Sequence, residues 1–119
     1  MKEIHAVVQA SKVQKIHDTF HQMKGFPGIS AARVDWFAPH LARPKTAKEE
    51  LSDFSKKTLL TILAPDELVE NIIGMLVDCT YTGQPSDGVI WVTSAEQVIQ
   101  ICEARGGSSD PLPSPPGVA

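Results

Sequence analysis

The sequence predicts an α+β sandwich in which one antiparallel sheet carries both of its helices on a single face. Short runs rich in β-branched residues recur four times, and two amphipathic runs of helical period lie between them. The 119 residues leave room for one compact core and not for two.

The first run, Ile4-His5-Ala6-Val7-Val8, is apolar enough to be a strand buried on at least one face. A helix is expected next: Ser11 stands where an N-cap belongs, Gln14 is placed to close a capping box, and Val13, Ile16, Phe20 and Met23 recur at helical spacing. Lys24-Gly25-Phe26-Pro27-Gly28 ends that helix and reverses the chain. Ile29 to Phe37 is a second strand, with Ala31, Arg33 and Asp35 on one face and Ser30, Ala32, Val34 and Trp36 on the other. Ala38 to Lys56 is polar and broken by Pro39 and Pro44, which predicts a long loop, a feature that is uncommon in small domains unless it has a function.

Thr58-Leu59-Leu60-Thr61-Ile62-Leu63 has the nearly continuous apolar character of a central strand. A second helix follows. Pro65 suits its first turn, Asp66 and Glu67 favour the positive end of its dipole, and Leu68, Val69, Ile72, Ile73, Leu76 and Val77 form its apolar stripe. Gly83 marks the region where it stops. Past the turn Gln84-Pro85-Ser86-Asp87-Gly88, a fourth strand covers Val89 to Val92, and Ser94 with Gln97 is placed to cap a short helical stretch through Ile101. Residues 106–119, rich in Gly, Ser and Pro, are expected to form a disordered tail beyond a domain of residues 1–105.

Strand, helix, strand, strand, helix, strand is the βαββαβ order of a ferredoxin-like fold. Helices on one face leave the other to be covered, which a chain this small does most simply by associating with copies of itself.

Eleven Lys and Arg against fourteen Asp and Glu give a formal charge of -3, which excludes a general electrostatic grip on a nucleic-acid backbone. The first residues lack the apolar run of a secretory signal, no stretch approaches a membrane span, and there are two cysteines, Cys79 and Cys102. A cytoplasmic protein with reduced thiols is expected. No nucleophile elbow, Walker loop or metalloprotease helix occurs, so no enzymatic activity is expected. An acylphosphatase would need an arginine-bearing phosphate loop after the first strand, where Gln9-Ala10-Ser11 stands instead. An RNA-recognition sheet would need aromatic residues between Thr58 and Leu63, where there are none.

Two features could carry chemistry. The turn from Thr82 to Gly88 holds two glycines, two hydroxyls and one carboxylate, and the backbone amides of such a loop can cradle an anion. His17 and His21, four residues apart on the first helix, have a usable metal-ligand spacing, without evident further ligands.

Three segments, Met1 to Gln9, Pro65 to Glu70 and above all Thr82-Gly83-Gln84-Pro85-Ser86-Asp87-Gly88-Val89-Ile90-Trp91-Val92, resemble the PII signal-transduction proteins, and more closely a divergent PII-like branch. Phe26-Pro27-Gly28-Ile29 is similar to the turn into the second strand of PII-like proteins that accompany transport systems. The resemblance implies a noncatalytic homotrimer whose interface clefts bind an adenine nucleotide. It also implies that the loop at about 38–56, the T-loop, reports ligand state to a transporter or enzyme, with no nucleic-acid partner and no membrane insertion. It places Gly83, Ser86, Asp87, Gly88 and Val89 at the nucleotide phosphates, Ser30 near the adenine, Leu63 where its backbone meets the base, and Lys57 towards phosphate and effector. A small anion such as bicarbonate would be held by Lys57 or Arg33. A second reading, a metal-binding trimer resembling the copper-tolerance proteins of this fold, would use His17 and His21, or Cys102.

The chain also departs from the family pattern. Where the family's phosphate loop usually reads Gly-Asp-Gly-Lys, this chain has Ser86-Asp87-Gly88-Val89, and two phosphate-clasping arginines fall at Gln100 and Cys102. Trp36 and Ala38 stand where glycines shape the loop base, and no tyrosine lies in the loop for uridylylation. Three missing cations, at roughly 1.5 to 3 kcal/mol per charged hydrogen bond, predict weakened ATP binding and a preference for ADP or AMP, or no nucleotide at all.

Overall fold

A computed structural model describes residues 1–23, 28–37 and 54–105. Four strands form one antiparallel sheet: β1 (Lys2–Gln9), β2 (Ile29–Trp36), β3 (Ser55–Ala64) and β4 (Gly88–Ser94), in the order β2-β3-β1-β4. Helix α1 (Val13–His21) continues a 3-10 turn over Ala10–Lys12, and α2 (Val69–Thr80) continues another over Asp66–Leu68. This is the expected ferredoxin-like α+β arrangement. The two apolar β-branched runs, β1 and β3, take the centre of the sheet, while mixed β2 and β4 take its edges.

Register decides which residues meet the helices. Ile4 pairs with Ile62, Ala6 with Leu60 and Lys2 with Ala64, so the alternate residues Ile4, Ala6, Val8, Leu60, Ile62 and Ala64 share one face. All six are buried, and they pack with Ile16 and Phe20 of α1 and with Val69, Ile72, Leu76 and Cys79 of α2. The Cys79 thiol, 3.5 Å from Thr19 Oγ1, ties the two helices side by side. Both Cys79 and exposed Cys102 are free thiols. The opposite face carries Val7, Leu59, Val89 and Trp91, and among the described residues no helix packs on it. Val89 and Trp91 remain about two-fifths exposed there.

Several local expectations are corrected. Ser11 lies inside the 3-10 turn, where Gln9 stands at the cap position without a side-chain capping bond, and Gln14 donates instead to Asp18 Oδ1 at 2.9 Å. Pro65 precedes the turn before α2 in extended conformation rather than occupying its first position. Ser94 is the last residue of β4 and accepts a hydrogen bond from Lys2 Nζ, so it caps no helix; after it, among the described residues, regular structure returns only in the 3-10 turn Glu103–Arg105. Strand β3 begins at Ser55, which moves Ser55 and Lys56 out of the expected loop. The rest of that loop, residues 38–53, lies outside the described residues, as do the expected turn at 24–27 and the tail at 106–119. Among the described residues no helix is long and apolar enough to cross a membrane.

The helix-face core predicts a sharp contrast within α2. Leu76 is fully buried and Val77 is 41% exposed. Leu76→Ala should therefore lower unfolding stability by about 2–5 kcal/mol and Val77→Ala by less than about 1, as measured by urea denaturation.

Candidate functional site

The candidate site forms where β1 ends, β3 begins and the chain turns from α2 into β4. Gly88, the first residue of β4, pairs with Val8. Its φ is +125°, and a Cβ added there would sit 2.0 Å from the Val7 carbonyl oxygen, so only glycine permits this close approach. The preceding loop is organised by Asp87. The Asp87 carboxylate accepts the backbone N–H of Thr82 at 2.6 Å, the N–H of Gly83 at 2.9 Å and the Thr82 hydroxyl. Gly83, at φ +85°, supplies the left-handed step that turns both amides toward it.

These bonds hold the Asp87 carboxyl below the ordinary carboxylate range, the Thr82 hydroxyl contributing most and the Thr82 amide next. Asp87 thus acts as the loop's own anion, and its negative charge sets the loop shape rather than gripping a phosphate. Ser86 is held from the other side. Its carbonyl accepts both Lys57 Nζ at 3.0 Å and Gln9 Nε2 at 3.2 Å. Lys57 is only 9% exposed, so a cation is buried beneath the loop with that carbonyl as its partner. Sequence reasoning counted the Thr82 hydroxyl in the loop but did not place Gln9 there; the pairing of Gln9 with Lys57 across β1 and β3 brings the carboxamide to the site.

The structure brings together Lys57, Gly83, Ser86, Asp87, Gly88 and Val89, and separates them from Ser30 and Leu63. Leu63 lies six residues along β3 from Lys57, about 20 Å at strand spacing. Ser30, an exposed residue of edge strand β2, is paired with Thr61. Arg33 and Lys57, each expected as a possible holder of a small anion, lie on opposite faces of the sheet, because Arg33 pairs with Thr58 and neighbouring residues alternate. His17 and His21 stack at 5.8 Å between ring centroids on the exposed side of α1, with Asp18 bound to the His17 ring nitrogen. Among the described residues, no group of three or more His, Cys, Asp or Glu side chains converges to hold a metal ion.

The site is thus a carboxylate-organised glycine loop at the entry to β4 of a four-stranded ferredoxin-like sandwich, with a buried ammonium held beneath it. The sequence matches the family model of nitrogen regulatory protein P-II over residues 1–105. It is 28% identical to nitrogen regulatory protein P-II of Azospirillum brasilense over 109 residues, 90% of this chain and 96% of that one. It is 28% identical to the Haemophilus influenzae protein of the same name over 103 residues, 85% and 91% of the two chains. Against Rhodobacter capsulatus P-II it is 29% identical over 109 residues, 90% and 96% of the two chains. The chain belongs to the P-II family of nitrogen regulatory signalling proteins.

The loop makes two predictions. Because the folded-state pKa of Asp87 lies below its unfolded value, its contribution to loop order is complete above the unfolded value of about 3.9 and fades as pH falls through the lower folded one. Hydrogen exchange should accordingly find the Thr82 and Gly83 amides protected at neutral pH, with protection fading only in strong acid, and Asp87→Asn should speed their exchange by roughly tenfold at pH 7. Gly88→Ala should cost about 2–4 kcal/mol of stability from combined strain and overlap, read from the unfolding midpoint.

Proposed function

We propose that this chain is a noncatalytic cytoplasmic regulator that senses an adenine nucleotide, ADP or AMP in preference to ATP, in clefts between the subunits of a homotrimer. The observation that carries this reading is the division of the expected site residues along β3. The phosphate group of residues, at the β4 entry, is divided from the adenine group, with Leu63 about 20 Å along β3 from Lys57 and Ser30 paired with Thr61 on the edge strand. A neighbouring copy seated on the uncovered sheet face would bring the adenine end of one chain to the phosphate loop of the next. The exposed Val89 and Trp91 on that face favour such burial, at about 25 cal/mol per Å² of apolar surface.

The preference for fewer phosphates follows from charge. Beneath the loop stands one buried cation, Lys57, and Val89 follows Gly88 where the family carries lysine. Each additional phosphate would meet the loop's own Asp87 carboxylate without a further ammonium to offset it. The segment between β2 and β3, residues 38–54, serves in this reading as the output to a transporter or enzyme. A ligand drives such an output only by binding one of its states more tightly than the other.

Calorimetry on the purified chain tests the reading. ADP or AMP should bind more tightly than ATP, magnesium should give ATP little advantage, and Ser86→Glu, which places a carboxylate in the loop, should abolish nucleotide binding. Light scattering should give three times the chain mass. Tight, magnesium-dependent ATP binding, or a monomer that binds nucleotide, would refute it.

A further inference from the structure

On the helix side of the sheet, a cleft of about 450 Å³ opens between the ends of β2 and β3 and the start of the first helical turn, within the size range of small-ligand sites. Arg33, Lys56, Thr58, Asp35 and Ala10 line it. It is distinct from the phosphate loop: the Lys57 ammonium, although Lys57 also borders the cleft, is engaged at Ser86 beneath that loop.

Three features of this cleft suit an oxyanion. The guanidinium of Arg33 and the ammonium of Lys56 are exposed, and among the described residues neither is in an ion pair. The run of helix beginning at Ala10 has no side-chain cap and no acidic residue in its first turn, so neither a capping side chain nor a first-turn carboxylate neutralises its positive end. Thr58 is 7% exposed, and no side-chain hydrogen bond satisfies its hydroxyl among the described residues. A buried hydroxyl facing a cleft without a partner is costly unless a ligand or water engages it. Against these stands one carboxylate, Asp35, directly across from Lys56 in the β2–β3 register. Two cations, a helix end and a hydroxyl donor outweigh it.

We propose that this cleft is a second ligand site, separate from the nucleotide cleft, that takes a tetrahedral oxyanion: phosphate, free or as the terminal group of a small phosphomonoester. Arg33 supplies the forked pair of N–H donors that matches two oxygens, the amides of the first helical turn and the Thr58 hydroxyl supply further donors, and Lys56 adds charge. The site stands at the strand ends that bracket residues 38–54, so its occupancy bears on the same segment that the nucleotide reading makes the output. It does not rest on that reading, and the two fail separately.

The test is a titration of the full-length chain with inorganic phosphate, and in parallel with glycerol 1-phosphate, followed by amide chemical shifts and calorimetry. Saturable shifts are expected at Ala10, Ser11 and Lys12. Arg33→Gln should weaken binding by about tenfold or more, Thr58→Val by several-fold, and Asp35→Asn should tighten it. Ser86→Glu, which disables the nucleotide loop, should leave the phosphate-induced shifts at Ala10, Ser11 and Lys12 in place while removing any at Thr82–Asp87. Tighter binding of the ester would identify a phosphomonoester as the ligand, and equal or weaker binding free phosphate. Shifts confined to Thr82–Asp87, no saturable binding of either probe, or an Arg33→Gln chain that binds as the wild type does would overturn the proposal.

Discussion

The close contact between Gly88 and the Val7 carbonyl is the constraint on which the candidate site depends. Because no side chain stands at Gly88, β4 begins flush against the end of β1, with Gly88 beside Val8. That placement suspends the loop from Thr82 to Asp87 over Gln9 and Lys57, whose side chains reach one carbonyl, that of Ser86. Asp87 then draws the Thr82 and Gly83 amides inward. A side chain at position 88 would push β4 outward and separate the loop from the buried ammonium, whatever the rest of the loop contained.

The same sheet that fixes the loop also divides the site. β3 is long enough to put Lys57 at one end and Leu63 at the other, and its register with β2 places Ser30 nearer the Leu63 end. Among the described residues the helices pack on one face alone, and Val89 and Trp91 stand about two-fifths exposed on the other. Trp91 stacks on His5 at 5.0 Å, a flat aromatic surface of the kind that packs well against another protein surface. In the proposed reading a neighbouring copy would both join the two groups of site residues and bury that face.

Much of the fold was legible in the sequence because it rests on periodicity. Alternation in Ile4 to Val8 and the helical stripes of Ile16 with Phe20 and Ile72 with Leu76 named core residues that are buried. Caps were less legible. Ser11 and Ser94 carry the right side chains, yet a cap needs a particular backbone position, and a 3-10 turn claims one while strand pairing claims the other. The loop from Thr82 to Gly88 was visible as a glycine-rich turn, but the inward role of Asp87 follows from its contacts rather than its identity. Gln9 joined the site through strand pairing, which leaves no local sequence signal. Arg33 and Lys57 were grouped by charge, and only the register, Arg33 opposite Thr58, places them on different faces.

The central claim is that one ligand site is shared between two chains, and mixing variants tests it most directly. Ser86→Glu damages only the phosphate loop and Ser30→Arg only the adenine end, so neither pure assembly should bind ADP. Mixed assemblies, formed by co-expression, contain interfaces at which both intact halves meet, and the account predicts that ADP binding returns there at a fraction of the wild-type stoichiometry. Binding by the pure Ser30→Arg assembly, or none in the mixture, would contradict it.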